Sequence, residues 1–174
     1  MQNLVISALA LVFSLVGIII AWLAWRNARQ TLLHQTVVSL ENEYRLAEML
    51  FAVKTLWDFY ETHGASNLGQ KYLEEYSRDN AWVASLPKDE RIKAEASTLH
   101  CQRRIVSHFF EKVARLYFAK VIPKKIVFNI WPKNDLRIIP TILIPMETAL
   151  AQELSGPTPA IRHRNLKRLY DDAP

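Results

Sequence analysis

One cysteine in 174 residues, Cys101, leaves no internal disulfide framework and suits a reducing compartment. Four glycines are too few for a phosphate-cradling, glycine-rich loop. No H-x-x-x-H or C-x-x-C pair occurs, so neither common zinc signature is present. No long stretch alternates apolar and polar residues with period two, which argues against strands. Neither proline nor glycine interrupts the chain from Arg26 to His63, and residues 4–25 carry no charge. There is no internal repeat and no low-complexity tract.

What is present begins with apolar content. Hydrophobic residues make up 50% of the chain, which excludes a largely disordered protein. A net charge of +5 and an isoelectric point near 9.4 suit anionic headgroups before they suit nucleic acid. The run LVISALALVFSLVGIIIAWLAW, residues 4–25, is the most informative segment. About 22 helical residues at ~1.5 Å each cover roughly the 30 Å hydrocarbon core of a bilayer. Trp22 and Trp25 stand where an interfacial aromatic belt belongs, followed by Arg26 and Arg29. The start Met1-Gln2-Asn3 lacks a basic region and the apolar run exceeds a usual signal peptide core, so a retained anchor is expected over a cleaved signal. With the basic residues on the carboxyl side, the N-terminus is expected outside and the remainder in the cytosol, placing the protein in the cytoplasmic (inner) membrane. Ser7, Ala10, Ser14, Gly17, Ala21 and Ala24 recur at alternating three- and four-residue spacings and form one small-residue stripe. Such a stripe lets helices approach closely in lipid, where no hydrophobic drive brings them together.

The expected fold is all-α. A transmembrane helix (4–25), preceded by a short outer N-terminus (1–3), continues into a long amphipathic helix (26–63); a kink near Asn27 to Thr31 is the alternative. Leu33, Val37, Leu40, Tyr44, Ala47 and Phe51 follow helical spacing, with Leu50, Val53, Trp57 and Tyr60 on a neighbouring track. Gly64 reads as a helix-ending glycine. A cytosolic helical domain (64–170) should pack on residues 30–63, leaving a tail (171–174). Within it the sequence predicts a short helix from Leu68 to Tyr76, a loop through SRDNAWVASLP, and a long helix opened by Pro87 at N1 with a break near Ser97-Thr98. That helix should bury Leu99, Val106, Phe110, Val113 and Tyr117. A short helix from Pro123 to Trp131 and a turn at 132–135 follow. Pro140 and Pro145 predict a bent or two-piece element, and Ile142-Leu143-Ile144 is the one stretch that also suits a strand. A basic helix from Ala160 to Tyr170 closes the domain.

The side chains that could carry chemistry are few. His108 and Glu111 share a helical face, but Arg104 and Arg115 lie on the same stripe and would repel a metal. The simpler reading is a solvated face with Glu111 paired to Arg115. Cys101 lacks any catalytic partner in sequence and reads as a small helix residue. Arg103, at the margin of the apolar face, is expected to pair with Glu43, Glu48 or Asp58 of the first long helix. Arg162, Arg164, Lys167 and Arg168 form a compact basic cluster for which a plain solvated face, headgroups, an acidic partner and nucleic acid compete, nucleic acid last. No catalytic residue, cofactor site or metal site is expected.

Leu56-Trp57-Asp58-Phe59-Tyr60, the helix Arg103-Arg104-x-Val106-Ser107-His108-Phe109-Phe110-Glu111, and Asp135 to Pro140 through Ile144-Pro145 carry a likeness. On these segments the chain resembles an uncharacterised bacterial family of short single-pass membrane proteins with a helical cytosolic domain. The resemblance implies a bacterial, membrane-anchored, α-helical protein and no activity. The expected function is therefore a non-catalytic accessory or scaffold subunit, associated with an integral membrane complex or with itself and with membrane lipids, but not nucleic acid. The alternatives are a membrane-surface module using the basic C-terminal helix, and a tethered enzyme or sensor in which Arg103, His108 and Glu111 line a pocket between the long helices.

Overall fold

Long runs without proline or glycine leave the backbone free to satisfy its hydrogen bonds locally, and helix dominates the result. The computed structural model describes residues 2–154 and 160–174, with side chains described at 11, 13–154 and 164–174. It is all-α, with no strand among the described residues. In order come α1 (Gln2–Arg45), α2 (Ala47–Ser85), α3 (Lys88–Ser97), α4 (Leu99–Phe118), α5 (Lys124–Ile130), the single turn α6 (Lys133–Leu136), a π-helical turn (Ile139–Leu143), α7 (Ile144–Glu153) and α8 (Ala160–Asp171). Gly156 and Pro157-Thr158-Pro159 lie outside the described residues.

The chain divides into two units, 1–39 and 40–174. In the first, the described large apolar side chains from Leu11 to Trp25 are all exposed, between 45% and 73%. They occupy nearly every position, so no buried stripe forms. The Arg26 and Arg29 guanidinium groups lie over the Trp22 and Trp25 rings, 5.6 and 5.7 Å from their centroids. Among the described residues no helix is long and apolar enough to cross a membrane. The expected span over 4–25 includes side chains outside the described residues.

The second unit corrects the expectation of one helix unbroken to His63, and α1 is also continuous across Asn27–Thr31, where a kink was the alternative. The helix breaks at Leu46, whose φ of −58° and ψ of 141° are extended. Leu40 and Tyr44 look inward before the break, and Met49, Ala52 and Leu56 after it. A five-residue step from Tyr44 to Met49 does not fit helical spacing, and the break absorbs it. Ala47, Leu50 and Phe51, expected on the core side, are consequently exposed. At Gly64, φ 71° and ψ 168° interrupt α2, so the expected helix end is real although helix resumes at once.

The predicted loop through SRDNAWVASLP is helix instead, running to Ser85. Its C-terminal carbonyls are held from outside the segment. Arg91 donates through Nε to Leu86 O and through Nη2 to Ala84 O, each at 2.9 Å. Asp79 accepts from the Leu99 backbone N–H at 3.2 Å. Pro87 is the residue before α3 rather than its first residue. Thr98 separates α3 from α4 and caps α4, its hydroxyl accepting from Cys101 N–H at 3.2 Å. The stretch 132–135, read as a turn, tightens into α6 after Pro132. Pro140 and Pro145 stand at the starts of the π turn and α7, where a missing N–H costs least, so Ile142-Leu143-Ile144 is helical.

The core forms where α2 meets α4 and α7, and where α4 meets α8. Val106, Phe109, Phe110 and Val113 of α4 are buried, as are Leu56 and Leu68 of α2, Ile142 and Leu143 of the π turn, and Leu166 of α8. Gly69 admits the close approach of α7, since a Cβ there would meet the Ala149 Cβ at 3.1 Å. Gly64 adopts backbone angles essentially reserved for glycine, so Gly64→Ala should cost about 1–3 kcal/mol. Urea denaturation followed by circular dichroism measures it, and an unchanged midpoint would show that the backbone relaxes there.

Candidate functional site

Two polar assemblies lie in the second unit, and only one of them is buried. On α4, the apolar stripe that fills the core also carries Gln102, Arg103 and Ser107 inward. Arg103 and Glu147 are each 5% exposed. The Arg103 Nη1 donates to Glu147 Oε1 at 2.6 Å, and the Ser107 hydroxyl donates to the same oxygen. Arg103 Nε donates to the Tyr72 hydroxyl oxygen at 2.9 Å, with the guanidinium 5.8 Å from the ring centroid. The Tyr72 O–H then has one acceptor left to reach, His100 Nδ1, at 2.9 Å. Donor counting assigns the His100 proton to Nε2.

This network overturns the expected pairing of Arg103. Glu43 pairs instead with Lys112 (2.6 Å) and Asp58 with Lys54 (2.5 Å). Arg103 finds its carboxylate on α7, far along the chain, where nothing in local spacing points to it. Burial pushes the Tyr72 phenol up. Burial, then the Arg103 and Arg104 charges, push His100 down from 6.5 to about 4, with Glu147 opposing. Burial also raises the Cys101 thiol, away from the thiolate that nucleophilic chemistry needs.

The second assembly is an open groove of about 560 Å³ between α4 and the junction of α1 with α2. It brings His108 and Glu111 together with Glu43, Glu48, Lys112 and Arg115. Two ion pairs form there: Lys112 with Glu43, and Arg115 with Glu111 at 3.8 Å. Arg103 is not part of it, so the pocket imagined for Arg103, His108 and Glu111 does not exist as one site. No group of three His, Cys, Asp or Glu side chains among the described residues could hold a metal ion.

No known protein family matches the chain, and neither does any curated protein or solved structure.

The remaining sequence candidates are placed as follows. Ser14, Gly17, Ala21 and Ala24 are exposed on α1, and the Ser7 and Ala10 side chains lie outside the described residues. A Cβ added at Gly17 would meet no atom within 4 Å. Arg164, Lys167 and Arg168 are exposed on α8, while the Arg162 side chain lies outside the described residues. Leu166 and Leu169 pin α8 to the core between these cations. Sequence reasoning missed Tyr72, His100 and Glu147 as one network. The only local signal was a carboxylate, Glu147, within an otherwise apolar stretch.

Removing one partner of a buried ion pair leaves an unpaired charge. Arg103→Leu and Glu147→Leu should each destabilise by about 3–5 kcal/mol, with the double variant recovering most of the loss. Urea denaturation of all four proteins tests this, and additive losses would mean that the pair is not coupled. His100 makes a second prediction. Its folded pKa lies below that of the unfolded chain, which therefore binds more protons between about pH 6.5 and 4. Stability conferred by the neutral ring is full above that window and is lost as pH falls through it. Denaturation midpoints against pH should show the decline, and His100→Gln should flatten it.

Proposed function

We propose that this protein is a non-catalytic accessory or scaffold subunit held in a membrane by α1, with its second unit in the cytosol. One observation carries the reading: from Leu11 to Trp25 the described apolar side chains are exposed on all sides. A helix packed on its own protein hides one face and leaves the other polar. Burial of a large apolar side chain contributes roughly 1.5–3 kcal/mol, so a cover for the whole segment is strongly favoured. A bilayer supplies such a cover. The Trp22–Arg26 and Trp25–Arg29 pairs mark where it would end, with indoles at headgroup depth and guanidinium groups beyond.

Association through the small-residue stripe belongs to this reading. A side chain placed at Gly17 meets nothing within the chain, so its effect would report a neighbouring helix. The paired charges of the α2–α4 groove and the raised Cys101 thiol favour a binding protein over an enzyme.

Alkaline carbonate extraction of native membranes tests the anchor. The wild-type chain should stay in the pellet. A Phe13→Arg/Val16→Arg variant should move to the supernatant, because each charge at mid-membrane costs about 2.5–3.5 kcal/mol. Release of the wild-type chain by carbonate would sink the anchor. Gly17→Leu should remain in the pellet but lose its co-purifying subunits or its own oligomer, and an unchanged band on a native gel would remove the stripe from the interface.

A further inference from the structure

Helix α4 ends in a doubly bonded reverse turn: Lys120 N–H donates to Tyr117 O at 2.9 Å, and Val121 N–H to Leu116 O at 3.0 Å. The turn requires a left-handed residue, normally glycine, and Lys120 occupies it with φ 57°. Among the described residues no other non-glycine has a positive φ. A left-handed lysine is a cost to the fold that glycine would avoid, and such outliers cluster at functional sites.

Lys120 lines a groove of about 530 Å³ together with Lys124 and Arg168. Its apolar wall is Tyr117, Phe118, Ile122 and Pro123. Among the described residues no carboxylate lines it, whereas three other grooves of this unit each contain at least two. No ion pair among the described residues engages any of its three cations. The nearby Asp172 accepts from the Tyr117 hydroxyl at 3.0 Å. Arg168 lies 4.6 Å from the Phe118 centroid and Lys124 5.7 Å from that of Phe128, so aromatic faces hold both cations in place. Arg164 and Lys167, exposed on α8, extend the positive field outward.

We propose that this groove binds an organic phosphate, its phosphate held by Lys120, Lys124 and Arg168 and its apolar part resting on Phe118 and Pro123. Lysines supply point charges to the phosphate and the arginine a planar two-donor fork. The volume exceeds that of a bare phosphate, and the apolar wall asks for a ligand with an apolar portion. A lipid headgroup with the top of its chains and a soluble aromatic or aliphatic phosphate share that chemistry. The site does not depend on the anchor, since its residues all belong to the second unit.

The test uses the full chain in phosphatidylcholine nanodiscs, titrated with phenyl phosphate by calorimetry. Binding should be measurable and should weaken with added salt. Lys120→Gly, Lys124→Gln and Arg168→Gln should each lower affinity about fivefold, as expected for loss of one partly exposed charge contact. Lys93→Gln, on α3, should leave it unchanged. Lys120→Gly is the deciding variant: glycine suits the left-handed turn, so its melting temperature should equal or exceed the wild-type value while affinity falls. Adding phosphatidic acid to the nanodisc identifies the source. Loss of phenyl phosphate binding assigns the groove to a lipid headgroup, and unchanged binding assigns it to a soluble phosphate. Absence of phenyl phosphate binding in phosphatidylcholine, or wild-type affinity in Lys120→Gly, would overturn the proposal. So would a fall in both melting temperature and affinity in that variant, which would make Lys120 structural.

Discussion

One buried carboxylate, Glu147, ties the helical core together. It accepts from Arg103 and Ser107 of α4, and Arg103 in turn holds Tyr72 of α2. Arg103 therefore links three helices, bonding Tyr72 of α2 and Glu147 of α7 from its own place on α4. An apolar contact tolerates sliding and repacking, whereas this contact is satisfied in one relative arrangement. Desolvation of both charges makes the pair a poor source of net stability. Its value lies in specifying how α4, α2 and α7 align, and the surrounding Leu, Ile and Phe side chains supply the energy.

The extent to which this was legible in the sequence differs by element. The face of α4 was readable because Leu99, Val106, Phe110 and Val113 repeat at helical spacing and are buried. Gly64 was readable because its φ of 71° demands what glycine alone supplies cheaply. The break at Leu46 carries no proline, glycine or capping side chain, and no side-chain hydrogen bond caps the helix that follows. It arises from the phase of the buried residues on its two sides, which a tertiary partner imposes. The helix from Ser77 to Ser85 was hidden for a related reason. Its polar composition resembles a loop, and contacts from Arg91 and Leu99 maintain it.

The polar sites show the same division. Arg103 stood out as a cation beside an apolar face, but its partner could not be found by searching the neighbouring helix, because α7 rather than the start of α2 lies across from it. The basic cluster of α8 was visible as composition. Its junction with Lys120 and Lys124 was not, since those residues come from the turn after α4 and meet Arg168 only through folding. Likewise His108 and Glu111 were correctly placed on one face, yet that face closes a groove whose charges pair within α4 and with α1. Local periodicity orients a side chain; which other element it meets is a property of the whole packing.

The break at Leu46 and the boundary between the two units do not coincide. The second unit begins at Leu40, inside α1. Leu40 is 1% exposed, and Tyr44 sits in an aromatic cluster with Phe109 and Trp131, at centroid separations of 5.3 and 6.2 Å. A fragment started at Ala47, where the secondary structure invites a cut, would delete both residues and open a void beside Trp131. One started just ahead of Leu40 carries less than two turns of α1 that look dispensable but complete the core. For anyone dissecting the chain, the junction to respect is therefore set by burial, one and a half turns before the helix visibly ends.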